Sequence, residues 1–423
     1  MRDRGMWSKW TWLMALVALV AVLAVACSGD DDDDDGGDTG GSGFTDAGYK
    51  TAGLDKAKVV TYDAEIPIGI SSALTGDTAG LGIPIADSAE AAGDGVTIKG
   101  HAIKWVREDD LCTPEGGPAA ADRLIKAKVV AAVGPICSGG TRAALKTFDD
   151  AGITHISPSA TAGDLTSPTR AEGPYVTFFR VPVLNSDEAK AQAKFAHDTL
   201  GAKKAFVVFD TDDYGKDLAA EFQKYFKEDG GEIVGTPAGY EKKTTDFKSI
   251  IANIKDAKPD VIYQAGFYAE ATPFLTQLRA EADLKEIPYI GGDGIKNDEL
   301  ITGAKAAADG AYLALPGTTG SQFDTYKDKF AKLFKGDADT ATFGAEAYDA
   351  ATAIIKALEK VAVEKDGKIE VDLKKLNEAI KDSNFEGASG KIEFGDNGNR
   401  AGGVVRFFKV EGGKYVQLEA GKK

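Results

Sequence analysis

From Ile66 onward, short apolar runs alternate with longer stretches in which apolar positions recur every three or four residues. The runs predict strands, the stretches predict helices, and their alternation predicts an α/β protein with parallel sheets. Val129-Val130-Ala131-Ala132-Val133 has no polar break and stops at Gly134-Pro135, which predicts a strand buried on both faces. A helix over about 139–150 and a strand at 153–156 follow. The pattern recurs after Pro182, with a buried strand at 205–209. Leu218, Phe222, Tyr225 and Phe226 then share one helical face, as do Phe247, Ile250, Ile251 and Ile254, ahead of a strand at Val261-Ile262-Tyr263. A strand at 312–315 and a long alanine-rich helix over 343–363 come next. The C-terminal part returns to strands at 391–394, 404–410 and 415–418, separated by turn clusters such as Asp396-Asn397-Gly398-Asn399.

The N-terminus breaks this pattern. Arg2, Arg4 and Lys9 outweigh Asp3, and 11–26 is uncharged and mostly apolar. That stretch is shorter than the roughly 20 apolar residues of a bilayer-spanning helix and ends in small residues, so 1–26 reads as an export signal. Ala24-Val25-Ala26-Cys27 resembles a bacterial lipobox, which implies a lipid on the Cys27 thiol and anchoring to the outer face of the cell membrane. Ala24 stands where Leu is usual, and Ala24-Val25-Ala26 also fits cleavage for free secretion. Residues 28–43 are Asp, Gly, Ser and Thr only. With no apolar area to bury, they predict a disordered tether, and 27–58 is assigned to anchor and tether together.

Composition narrows the function classes. A net charge of -16 argues against nucleic acid as a partner. Three cysteines occur in an exported chain; if Cys27 is lipidated, Cys112 and Cys137 remain, and a bridge between them would contribute roughly 3 kcal/mol. No CxxC-type spacing suggests zinc, and the Asp30 to Asp35 run, followed by Gly36, lacks a calcium loop's closing Glu at Ser42, so neither a metal nor a cofactor is expected. GxSxG, HExxH, the P-loop and a complete GxGxxG are all missing. His101, His155 and His197 fall at a strand start, a strand interior and a helix, and read as structural or surface residues.

In an open α/β sheet ligands bind beyond the carboxyl ends of strands, where loops enter helix N-termini. Ser138-Gly139-Gly140-Thr141 and Ser159-Ala160-Thr161 sit at two such ends. They could converge on one carboxylate, or Ser138 could simply cap its helix.

Glu108-Asp109-Asp110-Leu111-Cys112, Gly134-Pro135-Ile136-Cys137-Ser138, Ile156-Ser157-Pro158-Ser159-Ala160-Thr161, Tyr214-Gly215 and Gly292-Asp293-Gly294 occur in that order. Over about 66–417 the chain resembles the branched-chain amino-acid-binding proteins of bacterial ABC importers. The resemblance implies two Rossmann-like lobes of the periplasmic-binding-protein type I, joined by a hinge of three crossings near Pro182, Leu315 and Gly402. Lobe 1 would be 59–182 plus 316–402 and lobe 2 would be 183–315 plus 403–423. It implies a Cys112–Cys137 disulfide, and Ser138 and Thr161 hydroxyls on the ligand α-carboxylate with help from the Ser159-Ala160-Thr161 backbone. It also implies that Asp293 pairs with the α-ammonium and that Tyr214 is an aromatic wall. Phe267 and Phe343 match aromatic positions too; core packing is the other reading for all three rings. Leu81 stands where Tyr is common, and Asp293 where Glu is usual. The implied role is that of a monomeric binding protein, not an enzyme, which captures an amino acid, aliphatic by preference, and delivers it to permease subunits. A ligand-binding sensor, or transport of an amide, urea or an aromatic acid, are the alternatives.

Overall fold

Glu65–Ser72 is the axis of the first of two large sheets. In the computed structural model, which describes residues 44–167, 175–317 and 319–419, this strand pairs in parallel with His101–Asp109 and Ala132–Val133. His155–Ser157 and Phe178–Arg180 continue the sheet in parallel, and Thr97–Ile98 ends it antiparallel on the opposite edge. Ile66, Ile68 and Ile70 are fully buried. All of Val129 to Val133 is buried too, although only its last two residues have strand geometry. Val130 N still donates to Pro67 O (2.8 Å) and Gly69 N to Ala131 O (2.9 Å), so the ladder runs on past the formal strand. Helix Gly116–Lys126 packs on Ser138–Ala151, while Ala79–Ala92 packs on Phe323–Leu333 and Gly344–Val361.

The second sheet repeats the plan. Lys204–Asp210, Val261–Ala265, Tyr289–Gly291 and Ala311–Pro316 run parallel, with Glu232–Ile233 and Ala238–Tyr240 beside the first of them. Val405–Glu411 and Lys414–Gln417 add an antiparallel edge. Helix Asp213–Glu228 turns Leu218, Phe222 and Phe226 inward and leaves Tyr225 half-buried. Phe222 stacks on Tyr263 with ring centroids 3.7 Å apart, an arrangement worth about 0.5–1.5 kcal/mol beyond area burial.

The chain passes between the sheets three times: after Arg180, after Pro316, and between Arg400 and Val405. Arg180 N donates to Gly398 O (3.0 Å) and Arg400 N to Arg180 O (3.1 Å), which lays the first and third passages side by side.

One expectation is corrected. Within 27–58, the part from residue 44 onward is folded rather than tether. Asp46–Thr51 is a helix capped by Thr45, Ala52 and Leu54 are fully buried, Phe44 lies against Phe179, and Tyr49 Oη donates to Asn377 Oδ1 (3.1 Å). The cause is composition: aromatic and aliphatic residues begin at Phe44, where 28–43 has none. The export signal, Cys27 and 28–43 lie outside the described residues. Among the described residues no helix is long and apolar enough to cross a membrane.

Candidate functional site

Five strand ends meet at one small cavity. Ser138 opens the helix after Ala132–Val133, Ser159 follows His155–Ser157, Tyr214 follows Lys204–Asp210, Phe267 follows Val261–Ala265 and Asp293 follows Tyr289–Gly291. All five line the cavity together with Phe343, Leu81, Ile136, Cys137 and Gly294. Its free volume is about 20 Å³, room for about one water. Ala160 and Thr161 are buried next to it without lining it. Six of the eight expected residues thus share one cavity, and the other two belong to the loop that forms its wall.

The wall from the first sheet is neutral and held by backbone. Ser138 Oγ accepts from Ala162 N (3.2 Å), and Ser159 Oγ donates to Ile136 O (2.7 Å). Ser159's hydroxyl is therefore committed to the chain, whereas Thr161 Oγ1 is buried with no partner. A buried hydroxyl left unpaired costs about 1–3 kcal/mol. The loop is fixed from behind by Arg180, fully buried, whose guanidinium donates to Ala160 O (3.2 Å), Ala162 O (2.6 Å), Thr166 Oγ1 (2.7 Å) and Asn399 Oδ1 (2.6 Å). Burial pulls its pKa down to about 9. Gly134 starts the neighbouring loop at φ +95°, and a Cβ there would meet Ser71 O at 2.0 Å, so no other residue fits. Cys112 and Cys137 form a disulfide with Cα atoms 5.2 Å apart, joining the strand-end loops after His101–Asp109 and Ala132–Val133.

The wall from the second sheet carries charge. Asp293 is 1% exposed and accepts hydrogen bonds from Tyr214 Oη and from Gly294 N (2.8 Å). Behind it lies Glu188, on helix Asn185–Lys194, whose Oε1 accepts from Asp293 N (3.0 Å) and Gln192 Nε2 (2.9 Å) while Oε2 has no partner. Burial pushes Asp293 up to about 6, and burial together with the neighbouring Asp293 carboxyl pushes Glu188 well above the usual carboxylate range. Two contacting carboxyls in a dry site do not both ionise. Ionisation of one therefore holds the other toward its protonated form. Tyr214 and Phe267 rings lie 5.2 Å apart. Phe343 takes a left-handed backbone, φ +60°, at the start of Gly344–Val361, a conformation that costs a bulky residue about 1–3 kcal/mol and clusters at ligand sites.

The walls are tied across the cleft by Arg142 Nε to Asp213 Oδ2 (2.6 Å), Gly80 N to Tyr268 Oη (3.0 Å), Asn297 Nδ2 to Gly80 O (3.0 Å) and Gly163 N to Asp217 Oδ2 (3.1 Å). With so little free volume, a solute enters only when these contacts part. His155, buried and pushed down to about 4, holds Gly134 O through Nδ1 (2.9 Å) and is a neutral structural residue. No cluster of His, Cys, Asp or Glu among the described residues could hold a metal ion.

Sequence reasoning missed Arg180 and Glu188. Arg180 had a signal, a lone charge inside Phe178-Phe179-Arg180-Val181. Glu188 had none, because Asn185-Ser186-Asp187-Glu188 reads as an ordinary acidic first helical turn.

Two parallel-sheet α/β bodies, three passages between them and a polar and aromatic cavity at facing strand ends define a type I periplasmic binding protein. A family model described as "Periplasmic binding protein" matches residues 65–414, and the chain belongs to that family. The Leucine-, isoleucine-, valine-, threonine-, and alanine-binding protein of Pseudomonas aeruginosa is 29% identical over 71% of this chain and 77% of its own length. The Leu/Ile/Val-binding protein of Escherichia coli is 30% identical over 60% and 68% respectively. Among solved structures, the branched-chain amino acid transporter substrate-binding protein LivJ of Streptococcus pneumoniae, in complex with isoleucine, superposes with a TM-score of 0.73 at 26% identity, covering 84% of this chain and 100% of that one.

Proposed function

We propose that this chain is the substrate-binding component of an ABC importer and captures an aliphatic amino acid. The observation that carries the reading is the opposition of the buried Asp293 carboxyl to a neutral wall at Ser138 and Ser159, with the Thr161 hydroxyl in the same loop. An α-ammonium pairs with the first and an α-carboxylate with the second. Leu81, Ile136, Tyr214, Phe267 and Phe343 bound an apolar space for the side chain. Relatives named for leucine, isoleucine and valine support this solute class. Every group in the site binds or orients; no nucleophile stands beside a general base, so no covalent step is assigned.

Under this reading lobe 1 is 59–182 plus 316–402 and lobe 2 is 183–315 plus 403–423, hinged at the three passages, and closure strips water from the solute. The closed pair of lobes is what the permease subunits would receive, and a lipid on Cys27 would keep the protein beside them. Calorimetric titration of the mature protein with leucine, isoleucine and valine tests the assignment. One-to-one binding at micromolar or tighter dissociation constants is expected. No heat with any of the twenty amino acids would overturn it.

A further inference from the structure

A second cavity, of about 690 Å³, lies at the second and third chain passages. Leu315 and Phe323 come from the second passage, Arg406 and Phe408 from the strand after the third, and Lys296 from the segment following Asp293. Phe343 lines this cavity as well as the small one.

Lys296 is the unusual member. It is 4% exposed, and among the described residues its ammonium has neither a carboxylate nor a hydrogen-bond acceptor. It rests instead over the rings of Phe408 and Tyr415, 4.9 Å from each centroid. Ring faces attract a cation, yet a buried charge without an ionic partner remains costly. Burial accordingly pulls Lys296 down to about 8. Arg406, also largely buried, spends Nε on Gly317 O (2.9 Å) and forms no ion pair among the described residues. Glu346, the one buried acid on this cavity, is 4% exposed, forms no ion pair with either cation, and is pushed up by burial to about 7. Both cations thus face the cavity, and among the described residues neither has a salt-bridge partner. The acids nearer the mouth are already engaged: Asp339 pairs with Lys327 (3.5 Å), and Asp337 Oδ1 accepts from Asp339 N (2.9 Å). Asp298 and Lys414 also line the cavity and are exposed; Asp298 and Glu346 act on Lys296 through space without bonding to it.

We propose that this cavity is a second binding site, for a small organic carboxylate whose anionic end pairs with Lys296 and Arg406 and whose apolar body lies against Leu315, Phe323 and Phe343. A carboxylate supplies the ionic partner that Lys296 and Arg406 lack, and the volume falls within the roughly 300–1,000 Å³ of small-molecule pockets. Because the cavity borders the chain passages, its occupant contacts the segments that must move when the cleft opens.

The test is calorimetric titration of hexanoate, which has no ammonium group for Asp293, into the mature wild-type protein and into Asp293→Ala, Lys296→Met and Arg406→Gln variants. One-to-one binding is expected in wild type and in Asp293→Ala, with affinity at least about tenfold weaker in Lys296→Met and in Arg406→Gln. Lys296→Met removes a buried charge and keeps the apolar stem; should it fail to fold, Arg406→Gln carries the same reading. Absence of binding up to about 10 mM in wild type overturns the proposal. So does hexanoate binding that survives both cation variants and disappears in Asp293→Ala, since that places it in the amino-acid cavity.

Discussion

The two walls of the small cavity solve opposite problems with different materials. The first-sheet wall offers hydroxyl and backbone groups pinned from behind by Arg180, and within it no charged side chain faces the cavity. The second-sheet wall places two carboxyls and a tyrosine hydroxyl in one buried cluster. Oriented dipoles can hold an anion with several modest bonds, so the loss of one is tolerated. A single buried charge facing a cation is not redundant. Damage to the second wall should therefore cost more than damage to the first.

The largest effect is expected from Asp293→Ala. It leaves the solute ammonium buried without its partner, at a cost of about 3–5 kcal/mol in leucine affinity, read by calorimetry, with an unchanged far-ultraviolet spectrum as the control. Ser138→Ala removes one bond to a charged group, about 1.5–3 kcal/mol, while Thr161 and the loop backbone still hold the carboxylate. The reverse order would overturn the comparison.

Sequence patterning singled out the strand-end loops of the first wall, and the family resemblance singled out residues of the second. Strand-end loops are local features, so Ser138 and the Ser159-Ala160-Thr161 loop stand out by their place after apolar runs, and Asp293 by the resemblance of Gly292-Asp293-Gly294. Glu188 was not legible, because its burial depends on how helix Asn185–Lys194 packs against Asp213–Glu228 and the end of Tyr289–Gly291. That contact joins residues 105 positions apart and leaves no local trace. The same holds for Lys296, which Lys296-Asn297-Asp298 presents as a surface turn, whereas Phe408 and Tyr415 arrive from the third passage to cover it. The alternation of apolar runs predicted the sheets well; strand ends at 129–133 were overestimated, because burial on both faces extends beyond the residues with strand geometry. Residues 44–58 were misjudged by extending a compositional boundary past Phe44.

The central claim is that an ionised Asp293 holds the solute ammonium, with the buried Glu188 carboxyl behind it shifted toward its protonated form. The direct measurement is leucine affinity as a function of pH for wild type and Glu188→Gln. The ammonium binds the ionised form of Asp293, so binding expels the proton that Asp293 holds below its value of about 6. Wild-type affinity should be level above neutral pH and fall as pH drops through that value, approaching about tenfold per unit at the acidic end. Gln is a neutral mimic of protonated Glu188, so the variant should bind within about threefold of wild type at neutral pH and keep the same profile. A wild-type affinity that stays flat down to the ordinary carboxylate range, or a Glu188→Gln variant more than about tenfold weaker at neutral pH, would contradict the account.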